Sequence, residues 1–213
     1  VVDAVSDIID LSRFTNVIDI LVLDGNGNEL TVGEVLTRVG NIMNEADSDV
    51  IAYDLINAVS TDVLDISDFN NIIYTLTVLK DGTKLTVGQI FTRINNLMNA
   101  NCDIYTIDLT NAISSDVMDL SKFQNIIDLV AYDSANNELT VYETIERLNN
   151  ILNDQSDLSA KKVVDAVSDI IDLSRFTNVI NVFVYGPNGE ELTVGQVITR
   201  FGTMMSETES DIY

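Results

Sequence analysis

Four pairs of aspartates recur at one short spacing: Asp7 and Asp10, Asp62 and Asp65, Asp116 and Asp119, Asp169 and Asp172. Each pair opens the phrase D-x-x-D-[LI]-S-x-F, which closes at Phe14, Phe69, Phe123 and Phe176. Two chemistries use carboxylates in this way. A hard cation such as calcium collects about six to eight oxygen ligands, and two carboxylates per copy could contribute to such a shell between copies. Two carboxylates can also cleave a glycosidic bond, provided one of them sits in a cleft with a raised pKa. A pair copied in every repeat fits a solvated face or a turn cap better than either, so these eight residues are only weak calcium candidates and no enzyme is expected.

Other reactive constellations are missing. The chain has no histidine for general base work and one cysteine, Cys102, which has no second cysteine to pair with and no base near it in sequence. No glycine-rich phosphate loop follows an apolar run, and no cofactor is expected. The stretch Asp24-Gly25-Asn26-Gly27-Asn28 places oxygen donors at alternate positions, as a calcium loop does. However, Glu29 stands at the loop-glycine position and Val35 where the bidentate carboxylate belongs.

Arginine is the other patterned residue. Only 11 basic residues occur, yet Arg38, Arg93, Arg147 and Arg200 each stand four residues after a Glu or Gln in the same motif. The plain expectation is an i,i+4 contact along a helix. The sharper one is an ion pair with the Asp-x-x-Asp segment of the same or the adjacent copy.

These side chains need elements to position them. The motif before each arginine is a T-x-x-[EQ] capping box, formed by Thr31 and Glu34, Thr86 and Gln89, Thr140 and Glu143, and Thr193 and Gln196. Its hydroxyl and its acid or amide satisfy backbone N–H groups at a helix start, so a helix begins there in every copy. Tyr142 replaces the glycine that the other three boxes carry at this place. The apolar positions Val35, Leu36, Val39, Ile42 and Met43, and their equivalents Ile90, Phe91, Ile94, Leu97 and Met98, form one broad stripe. Such a stripe is expected to lie against a sheet or another helix. Met43, Met98, Met204 and Met205 could serve as an adaptable surface, although helical spacing favours the core.

Runs such as Val17–Leu23 and Ile72–Leu79 are rich in β-branched residues and end in turn chemistry, which predicts buried strands. The partly alternating stretch Asp103–Leu109 predicts another. Gly and Asn at Asp24–Asn28, Asp81-Gly82, Ser134–Asn137 and Gly186–Gly189 predict tight reversals. The expected fold is therefore α+β, with two or three short strands, a tight turn and one capped amphipathic helix in each copy.

The copies keep a strict period. Asp followed by Val, Ile or Leu occurs at Asp49, Asp103, Asp157 and Asp211, 54 residues apart at each step, and Val1–Ile18 recurs unchanged at Val163–Ile180. The boundaries that follow are repeat one at 1–48, which looks truncated at its N-terminal side, repeat two at 49–102, repeat three at 103–156, repeat four at 157–210, and the start of a further copy at 211–213. The absence of an initiator methionine fits a segment of a longer array. A copy this small buries too little surface to be comfortable alone and is expected to pack on its neighbours.

The phrase Ile9–Val17 looks like pieces of leucine-rich repeats, whose period is about half as long and whose fixed asparagine ladder is absent here. In composition and repetition the chain is similar to the repetitive shafts of phage fibres and of bacterial surface adhesins. Its net charge of −23 repels nucleic acid and anionic membrane surfaces, and is read as keeping a long assembly soluble. No apolar run reaches the ~20 residues of a membrane span. These observations predict a non-enzymatic structural repeat protein, forming an elongated fibre, appendage or surface assembly outside the cell or on a virion, with other copies of itself as partners. The alternative is a monomeric extracellular adhesin that presents a repeated ligand surface to a receptor or glycan.

Overall fold

The computed structural model describes residues 10–153 and 155–204. Among them the chain forms eleven α-helices and four one-turn 3-10 helices, with no strand. The helices are α1 (Thr15–Val22), α2 (Val32–Asn41), α3 (Ala52–Asp62), α4 (Asn70–Thr77), α5 (Val87–Asn96), α6 (Thr106–Asp116), α7 (Gln124–Ala131), α8 (Val141–Asn149), α9 (Ala160–Ser168), α10 (Thr177–Val184) and α11 (Val194–Met204). A full repeat reads first helix, 3-10 turn, second helix, tight reversal, third helix, as in α3, Ser67–Phe69, α4 and α5.

The α+β expectation is thus overturned. Val17–Leu23 and Ile72–Leu79 belong to the helical second element, α1 and α4, and Asp103–Leu109 is mostly the start of α6. Among the described residues extended pairing survives only as isolated antiparallel bridges. One type closes the reversals, as at Leu23 with Glu29 and Val78 with Lys84, and the other joins Ile51 to Thr86, Tyr105 to Thr140 and Ser159 to Thr193. The physical reason is that β-branched residues lose only a fraction of a kcal/mol each in a helix, so packing and caps decide. Val17, Ile18, Ile20 and Leu21 also satisfy helical spacing. In the first three repeats the second helix is capped from distant sequence at both ends, as described below.

The reversals share one left-handed residue at one position: Gly27, Gly82 and Gly189 have φ of 83°, 87° and 82°, and Asn136 has φ of 65°. Glycine adopts this conformation freely, and asparagine is among the few other residues that do so readily.

The chain divides into two compact units, residues 1–97 with 115–117, and residues 98–114 with 118–213. In the first unit α1 packs on α3, and in the second α7 packs on α9. Within each unit, the second helix of one repeat thus lies against the first helix of the next. Small residues suit these contacts: Ala58 on α3 and Ala166 on α9 are buried, as is Ala112 at the same register position of α6. The most deeply buried apolar residue of each junction phrase is the one after its aspartate, with Val50, Ile104 and Leu158 exposed by 2%, 1% and 2%.

Candidate functional site

The aspartate pairs are divided between two tasks. The second member ties its own 3-10 turn: Asp10 accepts from Ser12 N and Ser12 Oγ at 3.0 and 2.6 Å, and Asp65, Asp119 and Asp172 accept from Ser67 N, Ser121 N and Ser174 N at 3.0, 2.9 and 3.0 Å. The first member reaches the preceding repeat. Asp62 accepts from Val17 N at 2.9 Å and Asn16 Nδ2 at 2.5 Å, and Asp116 from Ile72 N at 2.8 Å and Asn71 Nδ2 at 2.6 Å. Asp169 accepts from Asn125 Nδ2 in the same way. These acceptors lie at the N-termini of α1, α4 and α7, where a helix leaves N–H groups unpaired and favours a negative charge. Asp7 lies outside the described residues.

The carboxyls respond to these bonds. The side-chain and backbone bonds from Ser12 hold Asp10 below the usual carboxylate range, as those of Ser121 and Ser174 hold Asp119 and Asp172. Backbone and then side-chain bonds from Ser67 do the same for Asp65. For Asp62 and Asp116 desolvation is the largest single influence and acts upward. The bonds from Asn16 and Val17, and from Asn71 and Ile72, together outweigh it and leave both acids lowered. Such acids are held ionised by hydrogen-bond donors. Among the described residues no three acidic, cysteine or histidine side chains gather as metal ligands.

Three of the arginines cap the other end of these helices, and Arg200 caps the same end of α10. Arg38 Nη1 donates to the carbonyls of Ile20, Leu21 and Leu23 at 3.0, 3.4 and 2.5 Å, and its Nη2 pairs with Asp49 at 2.6 Å. Arg93, 9% exposed, donates through Nη1 to Thr75 O, Leu76 O and Val78 O at 2.9, 2.8 and 3.4 Å. Arg147 donates to Leu129 O at 2.8 Å and to Tyr132 O, and pairs with Asp157 at 2.8 Å. Arg200 donates to Val182 O and Tyr185 O at 2.9 and 2.6 Å. A guanidinium matches several converging carbonyls and the negative end of the helix dipole. Where an ion pair is formed by Arg38 and Arg147, its carboxylate is that of the junction phrase, at Asp49 and Asp157, which the expected pairing with Asp-x-x-Asp did not single out.

The capping boxes are closed by local bonds. Thr31 N donates to Glu34 Oε2 at 2.8 Å and Glu34 N to Thr31 Oγ1 at 3.4 Å; Thr86 with Gln89, Thr140 with Glu143 and Thr193 with Gln196 repeat the exchange. Asp24 closes its own turn by accepting through Oδ1 from Asn26 N and Asn28 N, both at 2.8 Å. Cys102 is free and half-buried.

The broad stripe of the third helix is split. Its inner residues, such as Val35 in α2 and Ile42 at its C-cap, are half-buried, whereas Leu36, Val39 and Met43 are exposed. Phe91 and Ile94 in α5, Leu148 in α8, and Ile198 and Phe201 in α11 are exposed too, as are Met98 and Met204. The third helix does pack against another helix, as α2 does on α1 and α8 on α7, but part of its stripe and Met43, Met98 and Met204 lie outside that contact; Met205 lies outside the described residues. Sequence reasoning also missed the apolar doublets within D-x-x-D, Val63-Leu64, Val117-Met118 and Ile170-Ile171, which are exposed. Their location between an aspartate that reaches the preceding repeat and one that ties a turn was the available signal. Compared with known proteins, the chain matches no family model, no curated protein and no solved structure.

Proposed function

We infer that this chain is a non-enzymatic structural repeat protein that associates with copies of itself into an elongated fibre, appendage or surface assembly. The observation that carries the reading is the outward apolar face of the third helix, present in every repeat, with Leu36 exposed by 68% and Phe91 by 43%. Apolar surface repeated at one register position gains most from a partner that carries the same spacing, and contiguous exposed patches mark interaction sites. The patterned charged groups support the same reading, because each described aspartate of the pairs and each of the four arginines is engaged in holding helix ends or turns. No helix among the described residues is long and apolar enough to cross a membrane.

Electron microscopy of the purified chain, beside the double variant Leu36→Glu and Phe91→Glu, tests this. The expected result is threads or bundles for the parent chain and a loss of lateral association in the variant, with helical content unchanged by circular dichroism. Discrete compact particles from the parent chain at every concentration would refute the reading, and specific glycan binding by those particles would favour the adhesin in its place.

A further inference from the structure

Repeats two and three each display an apolar knob at the turn between their first and second helices. In repeat two the turn runs from Asp62 to Phe69 and exposes Val63, Leu64 and Phe69; in repeat three it runs from Asp116 to Phe123 and exposes Val117, Met118 and Phe123. Leu64 and Met118 are 64% and 56% exposed, more than Phe91 on the third helix. Apolar side chains scattered singly over a surface are ordinary, but three gathered in one short turn and repeated at one register position mark a contact surface. The knobs are also held still. The aspartates on either side are tied, Asp62 to Val17 N, Asp65 to Ser67 N, Asp116 to Ile72 N and Asp119 to Ser121 N, and the amides of Leu64 and Met118 donate to Val59 O and Ile113 O at 3.1 and 3.2 Å. Docking on a preformed knob orders little, so more of the burial energy appears as affinity.

The two knobs carry opposite charges. The residue before the phenylalanine is Asp68 in repeat two and Lys122 in repeat three, and both are exposed. Among the described residues neither side chain takes part in a hydrogen bond or ion pair, although Lys122 lies close enough to favour the ionised form of Asp119. The same place holds Arg13 in repeat one and Arg175 in repeat four. Only 11 basic residues stand against 34 acidic ones, yet three of them fall at this one place, with Asp68 as the single acid in the series. A turn of either sign is repelled by its own counterpart on another copy and attracted by a turn of the opposite sign.

We propose that the Asp62–Phe69 turn of one copy docks on the Asp116–Phe123 turn of a second copy of this chain, with Asp68 facing Lys122 and the apolar residues packed against one another. A second copy supplies what the repeat-two turn lacks: a knob of similar size, equally fixed, with an unpaired cation at the matching position of an otherwise acidic chain. The apolar residues supply the burial, and the charges choose which turns meet. Identical turns repel, so copies meet out of register, repeat two of one against repeat three of another. Such a heterologous contact builds filaments or rings, according to its rotation. It rests on the structural reading above, and adds to the helix faces a second surface with a stated partner.

The experiment is multi-angle light scattering of the 213-residue chain over a wide concentration range, with two charge-reversed variants. Asp68→Lys makes every one of these turns cationic; Arg13→Asp, Lys122→Asp and Arg175→Asp together make every one acidic, so that neither arginine can stand in for Lys122. All four positions are exposed, and unchanged melting curves establish that both variants fold. The contact predicts that each variant alone associates at least about tenfold more weakly than the parent, and that an equimolar mixture of the two recovers the parent's association. Asp68→Lys also makes the chain less negative, so stronger association of that variant would show a general charge effect and overturn the contact. A mixture no stronger than its components, or variants equal to the parent, would overturn it as well and leave self-assembly through the helix faces. A parent chain that stays monomeric throughout would overturn the contact and the structural reading together, and leave these turns to a partner of another kind.

Discussion

At the residue scale, what the molecule does with charge is to terminate helices. Arg93 serves three carbonyls in a nearly buried site, so Arg93→Met should destabilise the first unit by about 1.5–3 kcal/mol, the range for hydrogen bonds to a charged group. Arg93→Lys should recover only part of this, because an ammonium cannot match the planar fork; thermal unfolding of both variants measures it. The carboxylates predict an acid limit. Asp62 and Asp116 have folded pKa values below the ordinary 3.8, so their contribution is complete above that value and is lost as pH falls through the folded one. Melting temperature should therefore drop below about pH 4, and Asp62→Asn with Asp116→Asn, which keeps an acceptor oxygen but not the titration, should flatten that drop. The residues concerned were visible in sequence as recurring types, but their partners were not. Asp62 meets Asn16 and Arg93 meets Thr75, and neither separation is one that local periodicity can read.

At the scale of elements, the third helix was legible and the second was not, for one physical reason. The Thr31–Glu34 box contains both halves of its cap within one turn, so the start of α2 can be read from four residues. By contrast, α1 begins under Asp62 and ends under Arg38, and without those partners Val17–Leu23 looks like a strand. The tight reversals were legible because left-handed Gly27 and Asn136 announce themselves by type. Which half of the apolar stripe on the third helix would be covered was not, since Leu36 and Val35 have the same character in sequence and opposite fates in the fold. Helix approach gives a sharp test. Gly88→Ala drives a Cβ against the backbone carbonyl of Asn44 and should cost about 1–3 kcal/mol, the range for overpacking, unless α5 moves away. Gly33→Ala, at the same place in repeat one, meets only open space and should be neutral to slightly stabilising. Denaturant midpoints of the two variants decide it.

At the scale of the whole molecule, the 54-residue period that was plain from Asp49, Asp103 and Asp157 is the period of the caps: each described step places an aspartate of one repeat on a helix start of the repeat before it. A chain organised this way couples each copy to its neighbours through helix ends and leaves the same apolar positions outward in each. We propose that this surface serves association between chains. Sedimentation velocity over a concentration series tests it most directly. A sedimentation coefficient that rises with concentration and a frictional ratio well above that of a sphere are expected. A single compact species, unchanged in coefficient and shape at every concentration, would contradict it.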